Sequence, residues 1–143
     1  MIRGLFSRLV VLLGMVVFSL PSLSSEKQIL RHVEWASRDF YYIHLDEPEE
    51  VFEVREYVGG EHENEYNFLG FAGDTFLIVV RSVDDGEPTH VLRGKGYQAQ
   101  SYKREESGII GAYVVTVDSE HTWITIGVSA HPAAEYVLVV KKA

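Results

Sequence analysis

An all-β fold, a single jelly-roll-like β-sandwich, is the architecture this sequence predicts beyond its first two dozen residues. Three observations carry that prediction. Apolar and polar residues alternate with a period of two through several short segments, as in Val51–Val58 and Thr122–Val128. Turn-forming clusters such as Asp84-Asp85-Gly86 and Asp118-Ser119-Glu120 separate those segments. No stretch after the leader forces a helix of ordinary length.

The N-terminus is read first. Arg3 and Arg8 precede an apolar run from Leu9 to Leu20, Pro21 follows, and Ser22-Leu23-Ser24 places small residues at the −3 and −1 positions of a cleavage site. That is the plan of a secretory signal peptide. The run is short for a bilayer, which needs about 20 apolar residues. The expected organisation is a signal peptide over residues 1–24 and one β-sandwich domain over residues 25–143, with no membrane span after cleavage. The 119 residues that remain suffice for one core. A chain of 143 residues with no cysteine has neither a disulfide framework nor thiolate chemistry. This points to a periplasmic or secreted protein of a bacterial envelope.

Residues 26–38 fit either a helix face (Ile29, Val33, Ala36) or a strand face (Val33, Trp35, Ser37). Strands are then expected in order. Phe40–Leu45 is aromatic and branched. Val51–Val58 alternates, and Tyr66–Phe71 is a short aromatic run. Thr75–Val83 is apolar on both faces and reads as central. The Asp85-Gly86 turn and Pro88 delay the next strands, His90–Arg93 and Tyr97–Lys103. Ile109–Val117 is strongly apolar. Thr122–Val128 sets Ile124, Ile126 and Val128 against Trp123, Thr125 and Gly127. Ala130–Ala134, with Pro132, reads as a loop, and Glu135–Lys142 closes the chain with Tyr136, Leu138 and Val140 on one face. The total is eight or nine short antiparallel strands. The expected core is Phe68, Phe76, Ile78, Val80, Tyr113, Val115, Val117, Ile124, Ile126, Leu138 and Val140.

Charge narrows the partners. Loss of Arg3 and Arg8 with the leader takes the net charge from −8 to −10. A nucleic acid is not expected, because phosphate contacts need clustered Lys and Arg; a basic partner would be attracted. Nine carboxylates and one basic residue, Arg55, lie between Asp46 and Glu65. The stretch reads as a solvated edge or as a docking surface for a basic protein, with Glu61, Glu63 and Glu65 as its candidate contacts. It lacks the Asp-x-Asp-x-Asp loop of a calcium site. The six histidines, at 32, 44, 62, 90, 121 and 131, form no ligand-spaced pair, so no metal and no cofactor is expected. There is no Gly-x-Ser-x-Gly nucleophile motif, and short strands leave little room for a glycosidase cleft, so no enzyme is expected. Trp35, Tyr41, Tyr57, Tyr97, Tyr102 and Trp123 are candidates to lie outside the core, where a flat row of rings stacks on sugars or anchors a protein interface.

A family resemblance runs through about 75 residues. Tyr66-Asn67-Phe68 followed by Ala72-Gly73-Asp74-Thr75-Phe76-Leu77-Ile78 resembles the opening pattern of two related groups, the bacterial pre-peptidase C-terminal domains and the periplasmic inhibitors of g-type lysozyme. Val91-Leu92-Arg93-Gly94-Lys95-Gly96 is similar to the inhibitors' strand ending in Gly-x-Gly. Gly111-Ala112-Tyr113 resembles the late Gly-x-Tyr strand, and Tyr136-Val137-Leu138 the closing strand of both groups. The resemblance implies a jelly-roll-like sandwich. For the inhibitor group it implies a lysozyme-like basic partner and a Ser-Gly-x-Tyr loop that enters its cleft. Here Tyr113 and Gly111 match the tyrosine and glycine. Ile110 stands where the serine would be, and Ser107-Gly108 lies upstream. Tyr113 reads equally as a core residue of an apolar strand.

Overall fold

The computed structural model describes residues 28–102 and 108–143, and the described residues form ten strands in two five-stranded sheets. The proposed leader and Ser107 lie outside the described residues. In chain order the strands are β1 (Ile29–Trp35), β2 (Arg38–Ile43), β3 (Val51–Gly59), β4 (Glu63–Phe71), β5 (Thr75–Ser82), β6 (Pro88–Arg93), β7 (Tyr97–Ser101), β8 (Ile109–Val117), β9 (His121–Ala130) and β10 (Ala133–Lys142). The first sheet has the order β1-β2-β4-β9-β6 and the second β3-β10-β5-β8-β7. Among the described residues no helix is long and apolar enough to cross a membrane.

Three details depart from the sequence expectation. The ambiguous N-terminal segment is a strand, β1, hairpinned to β2 through Ala36 and Ser37, which raises the strand number to ten. The Ala130–Ala134 stretch is not a loop: β9 runs to Ala130, β10 starts at Ala133, and His131-Pro132 alone turn the chain. Finally, β2 and β4 pair in parallel, with Tyr41 opposite Tyr66 and Arg38 opposite Glu63. β3 makes the return trip in the other sheet, so β4 re-enters the first sheet running in the direction of β2. The other strand pairs are antiparallel.

Period-two patterning sets the core. Tyr66, Phe68, Ile124, Ile126 and Val128 from the first sheet face Phe52, Phe76, Ile78, Val80, Val115, Tyr136, Leu138 and Val140 from the second. Each such side chain contributes roughly 1.5–3 kcal/mol by leaving water. Of the expected core, only Tyr113 is half-buried rather than buried. Three polar groups close the interior: the Tyr66 and Tyr136 hydroxyls share a 2.5 Å hydrogen bond, and Asn64 Nδ2 donates to Tyr136 Oη at 2.8 Å. Burial, above all, pushes both tyrosine hydroxyls well above their ordinary pKa. They therefore stay protonated, as buried donors must.

Candidate binding face

Strand register writes the outer face of the first sheet as rows. One row reads Trp35, Arg38, Glu63, Ser129, Thr89; the next Val33, Phe40, Glu65, Gly127, Val91; the third Arg31, Tyr42, Asn67, Thr125, Arg93. Leu69 and Trp123 begin a fourth. Alternation explains the segregation: Tyr66, Phe68, Ile124 and Ile126 point inward, so their odd-numbered neighbours point out.

A polar network crosses the middle of this face. Arg93 Nη1 donates to Glu63 Oε1 at 2.6 Å and Nη2 to Glu63 Oε2 at 3.1 Å, and Nη1 also reaches Glu65 Oε1 at 3.4 Å. Asn67 Nδ2 donates to Glu65 Oε2 at 3.3 Å and to the Tyr41 carbonyl, while Thr125 Oγ1 donates to Asn67 Oδ1 at 2.6 Å. Gly127 makes the crossing possible. A Cβ there would stand 2.8 Å from Glu63 Oε1 and 3.0 Å from Arg93 Nη1, so the carboxylate and guanidinium meet over β9 in space that a side chain at 127 would crowd. The hydrogen bond from Arg93 holds the Glu63 carboxyl below its ordinary pKa, against the opposing effect of burial. Glu63 in turn holds the Arg93 guanidinium above its own ordinary value.

Aromatic rings flank the network. Tyr42 and Trp123 meet edge to face, with centroids 5.5 Å apart and planes at 86°. With Leu30 and Arg31 they line a shallow recess of about 400 Å³. Trp35 is 74% exposed at the far end of the same face. A broad apolar ring beside amide, guanidinium and carboxylate groups suits a polyhydroxylated ligand. The ring takes the apolar side of the ligand, and the planar groups pair with its hydroxyls.

The residues singled out from sequence are distributed as follows. Glu63 and Glu65 sit together under Arg93. Glu61 is exposed in the β3–β4 turn, beside a recess of about 520 Å³ at one end of the sandwich that also includes His62, Glu63 and His131. Gly108 precedes β8, where its carbonyl accepts from Ser82 N. Gly111 and Tyr113 lie within β8, in the other sheet. Tyr113 points inward, and its hydroxyl is 2.5 Å from His90 Nε2, with the two rings 5.5 Å apart. The His90 ring fills the space that a Cβ on residue 111 would need, 2.4 Å from Nε2. Here Gly-x-Tyr therefore joins the two sheets. Burial lowers the His90 pKa, favouring the neutral ring.

The acidic stretch does not form one surface. Glu50 accepts from Gln28 Nε2 and from the Asp46 and Glu47 amides, and Glu49 pairs with Lys141 at 2.6 Å, all at the β2–β3 end. Glu53 lies on the outer face of the second sheet, across from Val139. Glu61 lies at the opposite end, and Glu63 and Glu65 on the outer face of the first sheet. The exposed aromatics divide likewise: Trp35 and Trp123 share that face, Tyr57 belongs to the second sheet, and Tyr41 points inward. Arg93, Asn67, Thr125 and Tyr42 escaped the sequence reading, because only strand register places them beside one another.

No family model and no curated protein matches the chain. Among solved structures it is similar to the pre-peptidase C-terminal domain of a collagenase from Bacillus anthracis. That match has a TM-score of 0.52 and 17% identity, and covers 76% of this chain and 100% of that one. It is also similar to PliG of Aeromonas hydrophila, a periplasmic inhibitor of g-type lysozyme, with a TM-score of 0.50, 10% identity, and coverage of 74% and 99%. At these identities the likeness shows the fold alone: the chain shares the sandwich of the two groups its strand motifs resemble.

Proposed function

We propose that the protein is an exported, non-catalytic binding module that holds an envelope glycan against the outer face of its first sheet. The observation that carries this reading is the edge-to-face pair of Tyr42 and Trp123 beside the Arg93–Glu63–Glu65–Asn67 network. Export rests on the leader pattern of residues 1–24. The network also argues for binding rather than hydrolysis. Glycoside hydrolysis needs one carboxyl with a raised pKa to act as the acid. Here Arg93 joins the two carboxyls and lowers that of Glu63.

The test is retention on insoluble peptidoglycan, followed by calorimetry with its soluble fragments. The wild type is retained, and Trp123→Ala weakens binding at least about tenfold, equivalent to about 1.4 kcal/mol. Its melting temperature should stay close to that of the wild type, since the ring is 38% exposed. No retention of the wild type, or equal retention of the variant, would refute the reading.

A second reading, docking on a basic lysozyme-like enzyme, is favoured by the net charge of −10 left after leader removal. It predicts slower lysis of a peptidoglycan substrate by g-type lysozyme at low salt, with relief as salt screens the attraction. Undiminished lysis at excess protein removes it.

A further inference from the structure

A second cluster of polar side chains lies away from the face just described, where the inner side of β1 and β2 runs out from under the second sheet. We propose that His32, Asp39 and His62, assisted by Glu34, bind a divalent transition-metal ion of the zinc type. The β1–β2 hairpin sets Glu34 opposite Asp39 and His32 opposite Tyr41. One donor atom each from His32, Glu34 and Asp39 lies within 4.8 Å of the other two. His32 Nε2 is 3.0 Å from Asp39 Oδ1, and His62 Nε2, arriving from the β3–β4 turn, is 2.5 Å from Asp39 Oδ2. Each oxygen of one carboxylate therefore faces an imidazole nitrogen. Donor atoms around a tetrahedral zinc stand about 3.3 Å apart, given Zn–N and Zn–O lengths near 2.0–2.1 Å. The His32, Glu34 and Asp39 donor atoms, within 4.8 Å of one another, close on that spacing by side-chain rotation, and His62 joins them from the other oxygen of Asp39.

The positioning of His32 supports a site over an accidental cluster. Its ring stacks on Tyr41 at 4.3 Å and 6°, and Tyr41 stacks on Tyr66 at 5.0 Å and 11°. Tyr66 is fully buried and tied to Tyr136, so the core fixes the plane of one ligand. Side-chain exposures of 38% for His32 and 35% for His62 leave an entry path and room for water as a further ligand.

The donor set selects the metal. Two imidazoles with one or two carboxylates suit zinc and its late first-row neighbours, whereas calcium takes six to eight oxygens. Without metal, both Asp39 contacts are hydrogen bonds that use Nε2–H. On binding, each Nε2 lone pair turns to the ion and the ring proton sits on Nδ1. Any second proton on either ring is released to solvent.

The test is calorimetric titration of the purified, untagged, chelator-treated protein with zinc chloride, with calcium chloride in parallel. One zinc per chain with a micromolar or tighter Kd is expected, together with a higher melting temperature in saturating zinc. Asp39→Asn and His62→Ala should each weaken binding at least about tenfold. His121→Ala and Trp123→Ala should leave it unchanged, which separates this site from the glycan face. The proposal fails if there is no saturable zinc binding below about 1 mM, a Kd weaker than that of ordinary specific sites. It also fails if Asp39→Asn binds as tightly as the wild type, or if calcium binds equally well. A metal-free His–Asp–His clasp holding the β3–β4 turn gives the first of these results.

Discussion

Replacing Tyr66 with alanine should cost about 3–5 kcal/mol of stability, the range for a large aromatic removed from a packed interior. Tyr66 is fully buried at the centre of the first sheet. Its ring contacts Tyr41, Phe52 and Tyr136 at centroid distances of 5.0, 6.1 and 6.5 Å. Truncation opens a cavity across both layers and deprives Tyr136 of a hydroxyl partner. Domains of this size are stable by about 5–15 kcal/mol in total, so the loss is a large fraction. It corresponds to a fall of roughly 10–20 °C in melting temperature. Tyr66→Phe separates the two contributions. The ring stays, Asn64 still donates to Tyr136, and the expected cost is about 1 kcal/mol. Urea denaturation of both variants checks the pair. A Tyr66→Ala cost no larger than that of Tyr66→Phe would contradict the packing account.

Much of this fold is legible in the sequence, because alternation alone decides which side chains enter a sandwich. Ile124, Ile126 and Val128 face inward, and Trp123, Thr125 and Gly127 outward, as the Thr122–Val128 pattern states. Ile43 and Phe52 escaped the core list because aromatic or branched residues flank Ile43 on both faces, and Phe52 lies between Val51 and Glu53 in a glutamate-rich segment. The polar sites were hidden for a different reason. Asp39 and His62 are 23 residues apart and meet through the parallel pairing of β2 with β4, which no local motif announces. Glu63 and Arg93 are 30 residues apart, on strands separated by β9, and meet over the missing side chain of Gly127. The acidic stretch shows the converse: neighbours in sequence stand apart in space, because alternation and two changes of sheet scatter them.

Arg93→Ala is expected to destabilise the protein by about 1–3 kcal/mol at pH 7. Breaking a fully buried pair costs about 3–5 kcal/mol, and Arg93, with its side chain 40% exposed, falls below that. The variant leaves Glu63 and Glu65, with side chains only 15% and 13% exposed, facing each other without a cation. The pH dependence fixes the cause. The hydrogen bond from Arg93 holds the Glu63 pKa below the ordinary glutamate value of 4.5. A carboxyl depressed in the folded state contributes stability that is complete above its unfolded pKa and is lost as the pH falls through the folded value. The gap between wild type and variant should therefore be full at pH 7 and narrow steadily below about pH 4.5 as Glu63 takes up its proton. Chemical denaturation between pH 7 and pH 3 measures it. A gap independent of pH would mean that Arg93 acts through packing of its stem alone.

The chain has two tryptophans, and the register of β1 and β9 puts both on the solvent side of one sheet. Virtually all of its indole emission thus originates from that single surface. A polymer lying there would shield the fluorophores from iodide and move their spectrum to the blue, while zinc on the opposite side of β1 would leave the spectrum in place. Light alone can then distinguish which of the two sides is occupied.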